Sequence, residues 1–315
     1  MRSRVLLLTL LAFLGVVLDA TPGTAATQPR VALVVSGAIG PFVDATSALR
    51  AALERAVQPE ILLLDLENSR EKAAALPELL AEAQPALVIT VGSFATAAAL
   101  AARPAAPVVF SMVLYPEQSG FLPANGRAVT GAMLDVPLDE QFAMTRRLLP
   151  SAKRVGVVYS VAETRRVVEA ARAAARKHGF ELEARTVEEP GQTPRAVEAL
   201  LEEVDLLWTV ADGRVLTAQT TSALLLAALR RGVPVFGLSA AHVRAGALAA
   251  LSSDYADVGV QTAELAIRVL KGEPAGQIPP TAPRKISLAL NLRTAKHLGL
   301  TIDERLEHEA AVVVR

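Results

Sequence analysis

A chain of 315 residues with 52% hydrophobic and 20% charged side chains is too apolar to be disordered and longer than one core usually grows, so two domains are expected. Lys plus Arg and Asp plus Glu both number 32, and this balance argues against binding of nucleic acid through its phosphates. The absence of cysteine excludes disulfides and a lipid-anchored cysteine, and four histidines without i, i+4 spacing argue against a zinc site.

The first 26 residues have the pattern of a secretory signal peptide. Arg2 and Arg4 precede an apolar run at residues 5–18, whose length of about 14 residues suits a signal peptide and falls short of the roughly 20 needed to span a membrane. Small residues at 24–26 predict cleavage after Ala26. We therefore expect a periplasmic protein that is not a lipoprotein, with an uncleaved membrane anchor as the alternative.

The chain after this segment alternates short apolar strands with helices. Its first half predicts strands at residues 30–36, 61–66, 86–91, 107–113 and 128–134, with helices at 42–57, at 70–83 and after the third strand. The first strand, RVALVVS, is a valine-rich run typical of a strand buried on both faces. This order of strands and helices predicts a parallel sheet covered by helices on both sides.

The pattern restarts near residue 150. A helix from about 138 ends at Pro150, and strands follow at 154–159, 180–186, 205–210, 233–238 and 285–290, with helices at 163–178, 195–203, 215–231 and 254–270. The chain is therefore expected to form an α/β protein of two Rossmann-like lobes with parallel sheets. The likeness between the halves is architectural, because no sequence repeat links them.

Motifs of common enzyme classes are absent from the sequence. It contains no GxxxxGK[ST], no GxGxxG after the first strand and no HExxH. Residues 237–241, Gly-Leu-Ser-Ala-Ala, resemble a nucleophile elbow without its last glycine, and Asp254 and His297 follow in the order of an α/β-hydrolase triad. An exported serine hydrolase using Ser239 therefore stays open as an alternative, although a strand end capped by Ser239 explains the same residues.

Six stretches of the sequence are distinctive in combination. They are residues 107–113 (PVVFSMV), 129–131 (VTG), 149–159 (LPSAKRVGVVY), 233–239 (VPVFGLS), 246–255 (GALAALSSDY) and 291–295 (NLRTA). Together they resemble the ABC transporter substrate-binding family that includes tryptophan- and tyrosine-type binding proteins. The resemblance spans nearly all of residues 30–300, and the block at 246–255 is its most specific part.

This resemblance implies a type I periplasmic binding protein, with two lobes joined by three crossing segments and a ligand in the cleft between them. The expected lobes are residues 27–136 plus about 240–284, and 137–239 plus about 285–315. The crossings are then expected near residues 134–138, 237–241 and 284–290.

The same resemblance implies a non-catalytic, monomeric protein without a cofactor. It would close by hinge bending on a small solute, with an apolar or aromatic amino acid as the expected class, and deliver it to an ABC permease and ATPase. A binding protein that feeds a sensor is the alternative.

Candidate ligand-binding residues follow from the fold. In open α/β sheets ligands lie beyond the carboxyl ends of the strands, where helix N-termini suit a carboxylate. The loops at these positions contain Ser36, Phe42, Ser93, Thr96, Ser111, Tyr115, Tyr159, Asp212 and Asp254. We expect a ligand carboxylate to meet Ser93 and Thr96, and an ammonium to meet Asp212 or Asp254. Helix capping by Ser93, a solvated turn at Asp212 and packing of the aromatic rings are the alternatives.

Overall fold

The computed structural model describes residues 28–122, 126 and 128–315, so the expected signal peptide at residues 1–26 lies outside the described residues. The first lobe is built on a parallel sheet of five strands, in the order β2-β1-β3-β4-β5. Its elements are β1 (Arg30–Val35), α1 (Gly40–Ala56), β2 (Glu60–Asp65), α2 (Arg70–Ala83), β3 (Leu87–Val91), α3 (Ser93–Ala102), β4 (Val108–Val113) and β5 (Val129–Met133). The predicted elements of this half are confirmed.

The second lobe is built on a sheet of seven strands, in the order β12-β11-β10-β9-β8-β6-β7. Its strands are β6 (Arg154–Ser160), β7 (Glu181–Val187), β8 (Leu206–Trp208), β9 (Val235–Gly237), β10 (Ala249–Ser253), β11 (Ile286–Asn291) and β12 (Val312–Val314). The helices after β5 are α4 (Leu138–Leu148), α5 (Val161–Lys177), α6 (Thr193–Leu201), α7 (Ala218–Arg230), α8 (Ala240–Arg244), α9 (Tyr255–Leu270), α10 (Leu292–His297) and α11 (Glu304–Glu309). Strands β10 and β11 pair antiparallel, so this sheet is mixed, whereas a parallel one was predicted.

Helix α9 returns the chain to the first lobe, where it packs against α1, β4 and β5. A Cβ on its Gly259 would lie 2.1 Å from the carbonyl oxygen of Ala45 on α1, so this close contact requires glycine. Thr281 then forms an isolated parallel β-bridge with Ala132 of β5, before the chain enters β11. The chain therefore passes between the sheets at residues 134–137, 253–255 and 281–286.

The second of these passages corrects the predicted boundary. Residues 240–253 were expected in the first lobe, with a crossing at 237–241, but β10 pairs with β9 and β11 in the second sheet. The sequence of β10, Ala-Ala-Leu-Ser-Ser, has small side chains and no clear apolar alternation, and so gives no strand pattern. The other two passages lie at or next to the expected positions.

Both sheets are buried on their two faces by helices. All five residues of β3 are buried, as expected for a central parallel strand. Each lobe has its own hydrophobic clusters on the two sides of its sheet. Within the described part of the chain, no helix has the length and apolar character that a membrane span requires.

Candidate functional site

A cavity lies between the two lobes, next to the passages of the chain from one sheet to the other. It encloses about 700 Å³ of space, a figure that includes its open mouth. Its walls combine first-lobe residues after β4 with second-lobe residues after β9 and on β10. Leu114, Leu134, Val136 and Leu251 make much of this surface apolar. A solute in the cavity would therefore contact both lobes.

Tyr115 is the aromatic side chain that links the two walls. Its backbone has φ +48°, a left-handed conformation that is unusual for an aromatic residue, and its N–H donates to Asp135 Oδ1 at 3.0 Å. Its ring packs against the core of the second lobe, beside the backbone N–H of Ala211. Burial raises the pKa of Tyr115, which keeps the phenol protonated at neutral pH.

Tyr255, the first residue of α9, lines the same cavity. Burial raises the pKa of Tyr255, and the nearby Asp44 carboxylate adds to this effect. The cavity therefore has two protonated phenol groups at its edge.

Asp135 is the one charged side chain among the described residues that line the cavity. Burial raises the pKa of Asp135, and the Glu117 carboxylate acts in the same direction, while the N–H groups of Tyr115 and of Asp135 itself act against it. The site therefore contains a partly buried carboxylate, and the charged group described beside it, Glu117, is also an acid.

Hydroxyl and amide groups complete the polar part of the cavity. Gln141 is bonded at both ends of its amide, because its Nε2 donates to the Val136 carbonyl at 2.8 Å and its Oε1 accepts from Trp208 Nε1 at 2.8 Å. The Ser253 hydroxyl donates to the carbonyl of Leu134 at 2.7 Å. Ser239 and Ser252 line the cavity as well. Ser239 precedes α8 without a side-chain capping bond, so its hydroxyl is available to a solute.

Several predicted first-lobe residues point into the fold rather than into the cavity. The Ser36 hydroxyl accepts from the Ala95 N–H at 2.9 Å and donates to Val91, so Ser36 caps α3 from another strand. Buried Thr96 bonds to the carbonyl of Gly92, and buried Ser111 bonds to Thr262. The predicted ligand contacts of these hydroxyls are therefore replaced by structural bonds.

Ser93 and Phe42 also lie outside the cavity. Ser93 is exposed in the first turn of α3 and makes no capping bond, so its contact with a ligand carboxylate stays a prediction. Phe42 lines a separate groove between α1 and β2 and lies against Gly92, where a Cβ would be 2.7 Å from its ring.

Of the second-lobe candidates, Asp212 has the clearest structural role. It is 1% exposed and accepts from the Ser160 N–H and the Thr164 hydroxyl, both at 2.6 Å, and from the N–H groups of Arg214 and Val215. Four donors leave it no capacity for a ligand ammonium, because a carboxylate offers about four acceptor sites.

Asp254 and Tyr159 have structural roles as well. Asp254 caps α9 by accepting from the Asp257 N–H at 3.0 Å. Tyr159 packs against the core of the second lobe and does not line the cavity. Of the nine candidates, Tyr115 alone contributes to the cavity among the described residues.

Ser239 has no Ser-His-Asp triad around it among the described residues. His242, on the helix that follows Ser239, accepts from the Leu238 N–H through Nδ1 at 3.1 Å, and burial lowers the pKa of His242. Asp254 caps α9, and His297 lies at the end of α10. Across the described ranges, no group of three or more His, Asp or Glu side chains could hold a metal ion.

Sequence reasoning missed Asp135, Gln141 and Ser252, whereas it placed Tyr255 at the predicted site together with Asp254. Asp135 lies two residues beyond β5, so the rule that ligands bind beyond strand ends includes it once the fifth strand is considered. Ser252 was missed because β10 was not predicted.

Two lobes, each with helices on both faces of a sheet, and a cavity at their junction define a type I periplasmic binding protein. The chain matches the model of the ABC transporter substrate binding protein family over residues 47–314, and it belongs to this family. Members of this family bind solutes and are not enzymes.

Known relatives agree with this class. The chain is 25% identical over 219 residues to a tyrosine-binding protein of Clostridioides difficile, a match that covers 68% of this chain and 63% of that relative. An ABC domain from Streptococcus pneumonia in complex with L-Trp shares the fold, with a TM-score of 0.72, 22% identity, 91% of this chain covered and 100% of that one. The ligand-free, open structure of a substrate binding protein with adhesive properties from Clostridium difficile has a TM-score of 0.76 and 20% identity, covering 91% and 99% of the two chains.

Proposed function

We propose that this protein is exported to the periplasm, binds a small solute between its lobes as a monomer, and delivers it to an ABC permease and ATPase. The observation that carries this proposal is the cavity, because it is lined by both lobes and by the segments that join them. A solute held there favours the closed arrangement, since it gains contacts with the second lobe that an open cleft lacks. The residues 1–26 support export through their signal-peptide pattern.

The proposed solute is an amino acid with an apolar or aromatic side chain. The leucine and valine side chains of the cavity suit an apolar group, and Tyr115 and Tyr255 can contact an aromatic ring. The relatives support this class, since one is named a tyrosine-binding protein and another is in complex with L-Trp.

Calorimetric titration with the twenty amino acids, on protein freed of co-purified solute, tests this function. The variant Ser252→Phe fills the cavity, and we expect it to weaken binding at least about 10-fold through overpacking. Ser222→Phe is the matched control, because Ser222 is exposed on α7 away from the cavity. Equal affinity of the two variants would place the solute elsewhere.

Delivery to a sensor is the second candidate for the partner. Copurification of the wild-type chain with a permease, dependent on the solute, would favour transport, whereas copurification with a sensor kinase would favour sensing. The solute-binding part of the proposal is common to both.

A further inference from the structure

We infer that Asp135 selects solutes with a protonated amine, so that the ammonium of the solute contributes more to binding than its carboxylate. This inference rests on the proposed function. It specifies the class of solute as a molecule with an ammonium attached to an apolar or aromatic group.

The first step is the charge of the cavity. Among the described residues that line the cavity, Asp135 is the one with a charged side chain, and this lining includes no Lys, Arg or His. The ion pairs of the described part of the chain do not include Asp135. A cationic group of the solute would therefore supply the missing opposite charge.

The second step is a comparison with other buried aspartates of this chain. Asp212 accepts from four donors, and Asp257 is paired with both Arg284 and Lys285. These carboxylates are compensated within the protein, as buried charges normally are. Asp135 accepts from the Tyr115 N–H and from its own N–H, and two donors leave acceptor capacity for a solute in the cavity.

The third step concerns the other end of a zwitterionic solute. A carboxylate in the cavity meets the hydroxyls of Ser239 and Ser252 but no described cationic side chain. Hydrogen bonds from neutral donors are weaker than those in which both partners are charged. The ammonium therefore has the stronger partner, and loss of the amine should reduce affinity more than loss of the carboxylate.

Six probes separate these contributions on the wild-type chain by calorimetry. L-tryptophan and L-tyrosine have both groups, tryptamine and tyramine lack the carboxylate, and indole-3-propionate and 3-(4-hydroxyphenyl)propionate lack the amine. We expect the amines to bind within about 10-fold of their amino acids and the acids at least about 100-fold more weakly, because only the amines can pair with Asp135.

The variant Asp135→Asn tests the residue itself. Asparagine can still accept from the Tyr115 N–H but lacks the negative charge, so we expect affinity for the amines to fall at least about 30-fold. Asp254→Asn is the matched control, because asparagine caps a helix as well as aspartate does and affinity should be retained.

A structural role for Asp135 makes a different prediction. If the carboxylate served folding, Asp135→Asn would destabilise the solute-free chain, whereas removal of an unpaired charge should leave its stability equal or higher. Loss of stability, unchanged amine affinity, or acids that bind as tightly as the amines would each overturn the inference while the proposed function stands. Failure of all six probes to bind would overturn the aromatic amino-acid proposal and this inference together.

Discussion

At the scale of single residues, two aspartates near the cleft have opposite relationships to their surroundings. Asp212 is a buried carboxylate that accepts hydrogen bonds from four donors of the protein. Asp135 keeps a carboxylate at a cavity whose described lining has no cation. The same residue type therefore stabilises one loop and, in our proposal, binds the ligand from the other.

Asp212→Asn should destabilise the chain without a comparable change in solute affinity. An asparagine amide would direct donor hydrogens at the Ser160 N–H or the Thr164 hydroxyl, so we expect a loss of about 1–3 kcal/mol in the free energy of unfolding. Urea denaturation measures this loss. An unchanged midpoint together with weaker solute binding would restore Asp212 as a ligand residue.

The pH dependence of stability provides a second test at this scale. Burial and Glu117 raise the pKa of Asp135, so the native state binds more protons than the unfolded state and stability falls as pH rises above the ordinary value of 3.8. The variant Asp135→Asn should therefore be about 0.5–2 kcal/mol more stable than wild type at pH 7 and equal to it near pH 3. Denaturation of the solute-free proteins at both pH values measures this difference, and a larger gain at pH 3 would contradict the sign.

At the scale of elements, an ion cluster joins two of the three passages between the lobes. Asp257, in the first turn of α9, is held by Arg284 at 2.9 Å and Lys285 at 3.2 Å, which precede β11. Asp254 N–H also donates to the carbonyl of Lys285. These bonds tie the second and third passages together, so they should move as one unit when the lobes close.

Arg284→Gln should weaken this cluster in a pH-dependent way. Burial acts to raise the pKa of Asp257, but hydrogen bonds from Arg284 and Lys285 outweigh it and lower the pKa, so the stabilisation is present above 3.8 and is lost at lower pH. We expect a loss of about 1–2 kcal/mol at pH 7, reduced from a fully buried pair because Arg284 is half-exposed, and a smaller loss near pH 2. Thermal unfolding at both pH values tests this, and an equal loss at the two would contradict it.

Sequence patterns predicted the elements whose signal is local. Strand β1 is apolar after Arg30, β3 is apolar except for Thr90, and α9 has a clear helical period. Strand β10 escaped prediction because it acquires its strand character from pairing with β9 and β11 rather than from its own side chains. The lobe boundary was misplaced for the same reason.

The site was less predictable than the fold. Sequence reasoning located Ser36 and Ser111 near strand ends correctly, but the direction of a hydroxyl depends on tertiary partners such as Ala95 and Thr262. Asp135 was missed although it follows β5, because residues 134–138 were expected to form a crossing between the lobes. A position near a strand end in the sequence therefore does not show whether its side chain points into the cavity or into the fold.

At the scale of the whole molecule, three passages are the covalent links between two separately packed lobes. We propose that the lobes close on the solute by hinge bending. Small-angle scattering should show the radius of gyration falling on addition of an amino acid that binds, towards the roughly 20 Å expected for a compact chain of this length. Ser252→Phe should show no such change, and an unaltered radius for the wild type with a proven ligand would contradict closure.

Native mass spectrometry of the chain purified without denaturation identifies the solute that the cell provides, and so tests the proposed binding of an amine in the cavity. We expect one molecule per chain of a solute that has a protonated amine on an apolar or aromatic group. A bound solute without such an amine, or one that stays bound equally well in Ser252→Phe, would show that the cavity does not bind such amines.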